Sequence, residues 1–325
     1  MATLVLDSAD VEVRASGDVL ALYRDGVRTG TVPLALLDRV IMQGDVRMSA
    51  GVLTRLAESG VATPLLSRRH ARRVAIVLGV GHNDAAIRIG QVLLGQDERW
   101  LRHWSSMVVR HKVRGQRRVL EFALTQRPDA RKPLVAATRR LATAEADLRA
   151  TPAEVEQLRG VEGAAARTYF AALAAVMPPA MGFVGRTRRP PRDPVNACLS
   201  LAYTLLHFEA VRACHAAGLD PLVGFYHRPS FGRESLASDL IEPWRPQVDL
   251  WVWNQVRSRD IRPEHFGRDG EAVLLGKAAR GAFYARFEVF MRPLRRRLRR
   301  QCAALVRNVR ARGEGALVEA DEGEE

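Results

Sequence analysis

Long apolar runs are missing from this 325-residue sequence. No stretch approaches the roughly 18–20 residues that a membrane-spanning helix needs. The N-terminal Met1-Ala2-Thr3-Leu4-Val5-Leu6-Asp7 has neither the basic lead nor the long apolar core of a secretory signal, so the expectation is a soluble, cytoplasmic protein. Cysteine is scarce. Cys198, Cys214 and Cys302 are odd in number, widely spaced and form no C-x-x-C pair. That argues against a disulfide framework or a cysteine zinc site, and for reduced core thiols. No internal repeat is present. Acidic charge is also short: 36 Asp plus Glu against 50 Lys plus Arg, a formal net charge of +14. Six of the acids, with no Lys or Arg, lie in residues 313–325, so residues 1–312 carry +20. A surplus of that size points to a polyanionic partner, nucleic acid being the commonest; a merely basic soluble protein is the alternative. With 47% hydrophobic and 26% charged residues, the composition supports a packed core and excludes a mostly disordered chain. The length suits two domains.

Along the chain, residues 1–80 read as strand-rich. Val11, Val13 and Ala15 alternate with charged neighbours, Ser16-Gly17-Asp18 is a turn, and Val19 to Tyr23 is a second apolar run. Asp25-Gly26 is another turn signal. Arg39 to Met42 and Val61 to Leu66 read as further strands, separated by a short helix that Ser49 opens and Gly60 closes. Residues 81–84 serve as a linker. Beyond residue 85 the texture becomes rich in Ala, Leu and Arg. Helices are expected over 85–126, 134–149 and 194–217, with Thr151-Pro152-Ala153-Glu154 carrying start signals for another. Residues 271–312 read as helical in parts, and 313–325 as an acidic, disordered tail. The expected fold class is α+β: a small N-terminal β-rich, sandwich-like domain over 1–80, then a larger all-α domain over 85–312.

Three segments of the helical part place ionisable groups where apolar ones would be expected. In Val161-Glu162-Gly163-Ala164-Ala165-Ala166-Arg167-Thr168-Tyr169-Phe170, helical spacing puts Glu162 on one face with Ala166, Tyr169 and Leu173. A carboxylate there needs a partner or a metal, unless it is simply a first-turn acid favoured by the helix dipole. His227 follows the apolar loop Leu222-Val223-Gly224-Phe225-Tyr226 and reads as a ligand or as a hydrogen-bonded loop histidine. In Ser235-Leu236-Ala237-Ser238-Asp239-Leu240-Ile241-Glu242-Pro243-Trp244-Arg245-Pro246, Asp239 and Glu242 are three apart and project from one helix face; a solvated acidic patch is the plain reading. Carboxylates with one imidazole suit Mg²⁺ or Mn²⁺, and such an ion in a basic protein suits phosphodiester chemistry.

In these segments the chain resembles the CRISPR-associated integrase family of spacer acquisition. The resemblance covers nearly the whole length. Its most specific part runs from Asp193-Pro194-Val195-Asn196-Ala197-Cys198-Leu199-Ser200-Leu201-Ala202-Tyr203 through Gly218-Leu219-Asp220-Pro221 and Gly224-Phe225-Tyr226-His227 to the Ser235–Pro246 run. The resemblance implies that Glu162, His227 and Glu242 are metal ligands for Mg²⁺ or Mn²⁺, with Asp239 a further catalytic acid beside them. It also implies an N-terminal domain that dimerises and a small ferredoxin-like partner that completes a heterohexamer. The implied reaction is insertion of short duplexes into a repeat array by attack of a 3′-hydroxyl, alongside cleavage of branched DNA. A related mobile-element integrase, a branched-DNA repair nuclease and an inactive DNA-binding scaffold of the same fold are the alternatives.

Further positions are candidates for DNA contact: Arg167, Tyr169, Asn196 and Arg245 around the site, the Pro-fixed basic loop with Arg186, Arg188 and Arg189, and Arg228 beside His227. Helix packing, capping and surface charge are their competing readings, and Arg245 also has Glu242 or Asp239 as a candidate partner. Arg292, Arg295, Arg296, Arg297, Arg299 and Arg300 crowd one stretch. They cannot share one helix face, and their expected use is sequence-independent phosphate attraction.

Overall fold

The computed structural model describes residues 2–8, 10–66, 73–79, 82–150, 153–187 and 190–322. Two compact units emerge: Met1–His82 with Lys277–Arg295, and Asn83–Gly276 with Arg296–Glu325.

The first unit is built on strands β1 (Ala2–Leu6), β2 (Val11–Ser16), β3 (Val19–Arg24), β4 (Val27–Pro33), β5 (Leu37–Met42), β6 (Arg47–Met48), β7 (Thr63–Leu66) and β8 (Arg73–Val77), with helix α1 (Ala50–Glu58) between β6 and β7. Two four-stranded sheets form, in the orders β1-β5-β7-β8 and β4-β3-β2-β6. The alternation read in β2 places Val13 inward opposite Leu22 of β3 in an antiparallel hairpin. Leu6, Val40 and Met42 from one sheet, Val13 and Leu20 from the other, and Val52 and Leu56 from α1 share one buried cluster, which holds the sheets face to face. Strand β5 is buried along its whole length, including Asp38 and Arg39.

Those buried charges explain why residues 277–295 join this unit. Glu288 receives Arg39 at 2.5 Å and Arg295 at 2.5 and 2.7 Å, and Arg295 also lies 3.5 Å from Asp38. A buried charge without such partners is strongly destabilising. Burial alone would raise the Glu288 carboxyl, but the Arg295 and Arg39 guanidiniums bring it down to about 2. Arg295 is thus a core residue, not one of the phosphate-attracting arginines expected of its stretch, whereas Arg292, Arg296, Arg297, Arg299 and Arg300 remain exposed.

The second unit contains α2 (Ala85–Leu94), α3 (Glu98–Gln126), α4 (Arg131–Ala150), α5 (Val155–Ala174), α6 (Pro194–Ala216), α7 (Ser235–Ile241) and α8 (Arg245–Arg257). A hairpin, β9 (Phe266–Asp269) with β10 (Ala272–Leu275), precedes α9 (Lys277–Glu322), whose first part belongs to the first unit. Helix α6 opens as read: Asp193 accepts from the Asn196 backbone at 2.9 Å. It is buried on nearly all sides and forms the centre of the unit.

Two expectations are corrected, one falls outside the described residues and one gains a detail. The helix expected over 85–126 is two helices, because Asp97 caps a second start by accepting from Trp100 at 3.0 Å. The start expected at Thr151 falls on residues outside those described; α5 opens instead at Glu154, which exchanges capping contacts with Gln157. The second unit is helical as expected and carries in addition one short hairpin, in which Ala272–Leu275 pairs antiparallel with Phe266–Asp269. Order does not end at residue 312: α9 continues to Glu322. Its far end is held because Gly313 and Gly90 let it meet α2 backbone to backbone; a Cβ on Gly313 would lie 1.9 Å from the Ala86 carbonyl oxygen. Arg310 adds an ion pair to Asp84 at 3.1 Å. Cys198, Cys214 and Cys302 are all buried thiols. No helix among the described residues is long and apolar enough to cross a membrane.

Candidate active site

Helix α3 carries a buried stripe through Trp104, Val108, Val109, Val113 and Leu120, and Lys112 lies within that stripe. A buried ammonium needs anionic partners. It finds two, from elements 50 and 130 residues away: Glu162 of α5 and Glu242, in the single turn Glu242–Trp244 that follows α7. Lys112 Nζ donates to Glu162 Oε1, and to Glu242 Oε2 at 2.5 Å.

Each carboxylate has a second partner. The Tyr226 hydroxyl donates to Glu162 Oε2 at 2.7 Å, and Arg245 Nε lies 3.0 Å from Glu242 Oε1. Burial most strongly disfavours the ionised form of Glu162 and the Glu242 charge adds to that, yet the Lys112 charge with the hydrogen bonds from Lys112 and Tyr226 leaves the carboxyl below its ordinary value. Burial likewise opposes charge on Glu242, but Arg245 and Lys112 bring it to about 2. Burial and the Glu162 carboxylate push the Tyr226 phenol well above its ordinary value, so it stays a donor.

His227 is fixed from behind by Asp239. This carboxylate is wholly buried and accepts from the backbone N–H groups of Phe225 (2.8 Å), Tyr226 (2.9 Å) and His227 (2.9 Å). The same Oδ1 that meets the His227 N–H lies 2.7 Å from its Nδ1. A carboxylate at Nδ1 favours the proton there and leaves Nε2 with the lone pair. The His227 side chain is partly exposed and lies close enough to Glu242 to act on it electrostatically. Asp239 therefore orients the loop and the imidazole instead of facing outward beside Glu242.

The three expected ligands are placed as follows. Glu162 and Glu242 converge on Lys112, and His227 stands within electrostatic reach of Glu242. Among the described residues, no three His, Cys, Asp or Glu side chains are grouped to hold an ion, since the Lys112 ammonium lies between the two carboxylates.

Behind Glu242, the Arg245 guanidinium stacks 4.6 Å over the Tyr203 ring, and the Tyr203 hydroxyl donates to Asp249. Burial raises Asp249 to about 6, although its hydrogen bond with Tyr203 works the other way. Arg245 pairs with Glu242, not with Asp239.

Two expected DNA contacts are corrected here. Tyr169 and Asn196 are wholly buried. Asn196 is spent on the loop before α6, donating to Gly185 O at 2.8 Å and accepting from Arg186 at 2.8 Å and from the Thr187 backbone at 3.0 Å. Arg186 is engaged with Asn196 and with Ser200 at 3.1 Å. Arg167 and Arg228 are exposed; Arg188 and Arg189 lie outside the described residues. Lys112, Tyr226 and Asp249 were not singled out from sequence. For Lys112 the signal was available: a lysine between Val109 and Val113 on an apolar helical stripe.

Comparison with known proteins places this geometry. A family model described as CRISPR associated protein Cas1 matches residues 4–289. The CRISPR-associated endonuclease Cas1 1 of Thermodesulfovibrio yellowstonii is 35% identical over 303 residues, spanning 91% of this chain and 93% of that protein. A solved structure described as a casposase bound to integration product shares the fold with a TM-score of 0.80 at 19% identity, over 94% of this chain and 91% of that one. A chain of a Cas6-RT-Cas1–Cas2 complex aligns with a TM-score of 0.77 at 25% identity, over 95% of this chain and 35% of that one.

Proposed function

The chain belongs to the CRISPR-associated protein Cas1 family, and from that premise we propose that it is a divalent-metal-dependent DNA endonuclease and integrase that inserts short duplexes into a repeat array. The observation that carries this reading is the meeting of Glu162 and Glu242 around one positive charge, with the Asp239-oriented His227 beside them. Two carboxylates that already share a cation, flanked by an imidazole with its Nε2 lone pair available, are a donor set for a hard or borderline ion. Glu162, Glu242 and His227 would hold Mg²⁺ or Mn²⁺. Such an ion supplies Lewis acidity toward a phosphoryl oxygen and charge stabilisation at phosphorus.

The chain's own groups do the rest. Asp239 fixes the imidazole, Tyr226 holds Glu162 from the far side, and Arg245 sets the orientation of Glu242. In the proposed transesterification a 3′-hydroxyl oxygen bonds to a repeat phosphorus as the existing P–O3′ bond breaks. The attacker loses its proton and the departing 3′-oxygen gains one. The exposed arginines of α9 and Arg228 supply backbone attraction that is indifferent to sequence. The chain would work as a homodimer, in the cytoplasm, with a small ferredoxin-like protein completing a heterohexamer. The alignment to a chain from a complex that contains Cas2 supports such a partner.

Glu162→Gln, His227→Ala and Glu242→Gln should each lower Mn²⁺-dependent cleavage and integration at least about 100-fold while changing duplex affinity less than about threefold. Activity is read with a labelled 3′-hydroxyl duplex and a repeat plasmid, with and without EDTA, and circular dichroism confirms folding. Full activity in any one variant would remove that residue from the site, and full activity in EDTA would remove the metal.

A further inference from the structure

We propose that Gln91 of α2 is a positioning residue for His227, holding the backbone of the segment Asp220–Val223 so that the imidazole is presented beside Glu242. The inference rests on the reading of Glu162, Glu242 and His227 as metal ligands, and adds to it a residue of another helix that is hydrogen-bonded to none of the three.

Gln91 is wholly buried, on a helix face otherwise filled by Ala86, Ile87, Gly90 and Leu94. A buried primary amide needs partners for two N–H groups and one oxygen. This one finds them all in a single loop, 129 and 132 residues away. Nε2 donates to the carbonyls of Asp220 at 2.8 Å and Val223 at 2.7 Å, and Oε1 accepts from the Asp220 N–H at 2.9 Å. Two acceptors on one side and a donor on the other admit one orientation of the amide. The loop from Asp220 to His227 contains no helix or strand. Its backbone is held from two sides. Gln91 takes Asp220 and Val223 from α2. From α7, the Leu236 N–H donates to Pro221 O at 2.9 Å, and Asp239 accepts from the N–H groups of Phe225, Tyr226 and His227. Between the two sets, Gly224 lies so close to α7 that a Cβ would stand 2.6 Å from the Ser235 carbonyl carbon.

The two holds do different things. Asp239 sets the direction of the imidazole and ties it to α7, which leads into Glu242. Gln91 sets where the preceding segment stands relative to α2, and α2 is itself immobilised. A ten-residue helix is marginal by itself. Here it is seated on α9: a Cβ on Gly90, next to Gln91, would lie 1.8 Å from the Val309 carbonyl oxygen, and one on Gly313 would lie 1.9 Å from that of Ala86. The amide therefore projects from a fixed base. Removing it frees the Asp220 N–H and the Val223 carbonyl, the latter four residues before the imidazole, and leaves Asp220–Val223 hydrogen-bonded to α7 alone among the described elements. Groups that orient a metal ligand from behind are worth about 10–100-fold in metal affinity. Gln91 acts one step further out than Asp239, so its effect belongs at the low end, about tenfold.

The test uses full-length protein and two readouts: Mn²⁺ affinity, from the paramagnetic resonance signal of free Mn²⁺, and hydrogen exchange of peptides covering 220–227 in EDTA. Gln91→Met keeps the length of the side chain and removes all three hydrogen bonds. It should weaken Mn²⁺ binding about tenfold and speed exchange of 220–227 at least about tenfold, with the α3 stretch around Lys112 unchanged. Gln91→Glu keeps only the bond from the Asp220 N–H and should lose Mn²⁺ affinity as well; it takes the place of Gln91→Met if that variant does not fold. Ile87→Ala, one turn earlier on the same face, controls for damage to α2 that spares these bonds. It should lower the melting temperature at least as much and leave Mn²⁺ affinity within about twofold. Unchanged exchange in the Gln91 variants would overturn the proposal, as would unchanged Mn²⁺ affinity. Equal losses of affinity in Gln91→Met and Ile87→Ala would also overturn it, by making Gln91 a packing residue. Wild-type protein that binds no Mn²⁺ would overturn the metal reading instead, and exchange at 225–227 would then decide the proposal.

Discussion

Lys112 decides how the centre of the site is held together. Its ammonium is the charge that lets a buried and a partly buried carboxylate face each other, and it acts with Arg245 at Glu242 and with Tyr226 at Glu162 to hold both carboxyls below their ordinary value. Removing one partner of a buried ionic group costs about 3–5 kcal/mol, because the remaining charges keep their desolvation and lose their compensation. Lys112→Met should therefore lower the melting temperature sharply in EDTA. Mn²⁺ should then restore a large part of the loss, as a divalent cation replaces the missing charge, while wild-type protein gains less from the metal. Scanning calorimetry of both proteins with and without Mn²⁺ checks this; equal metal-induced shifts would contradict it. Asp239 shows the opposite arrangement. Two carboxylates three residues apart were read as sharing a face, but Asp239 is consumed by three backbone donors and an imidazole, and only Glu242 is available to the centre.

The site is assembled from elements whose ends are set by local chemistry. Asp97 and Asp193 start α3 and α6 at defined residues, and the α7 helix stops where Pro243 removes a donor. These boundaries fix which residue of each helix faces the centre. Motif spacing made several of them readable: the Asp193-Pro194 start and the β2–β3 hairpin stand where periodicity puts them. The division of α2 from α3 was hidden because apolar periodicity continues across Gly95, and the β9–β10 hairpin because its four-residue strands are too short to show a period. The far end of α9 is set by contact instead of composition. Gly313→Ala would drive a Cβ into the Ala86 carbonyl, and relieving such overpacking costs about 1–3 kcal/mol. Hydrogen exchange should accelerate in α2 and in the last turns of α9, with α6 unaffected; unchanged exchange at both would show that the close approach is unimportant.

Over the whole molecule, charge is distributed unevenly: +20 on residues 1–312 and six acids in the last thirteen. Once Arg295 is withdrawn into the core, the exposed arginines of its stretch remain as a sequence-independent attraction for phosphates. Each phosphate neutralised contributes about 0.9 to the slope of log affinity against log salt for duplex DNA. Six or more contacts would cut affinity at least about 1,000-fold between 50 and 200 mM salt. Fluorescence anisotropy across that range checks it, and a shallow slope would mean that these arginines are not used for DNA.

Fold class and the order of strands before helices were legible in the residues, because periodicity reports which face of an element is buried; Glu162, His227, Asp239 and Glu242 stood out as a set only through the family resemblance. Partnership was not legible. That Lys112 joins carboxylates 50 and 130 residues away, that Asn196 and Tyr169 are enclosed, and that Arg295 serves a buried carboxylate all depend on which elements pack against each other. A buried charge takes whatever counter-charge the folded chain brings within a few ångströms, and no local pattern in the sequence encodes that distance.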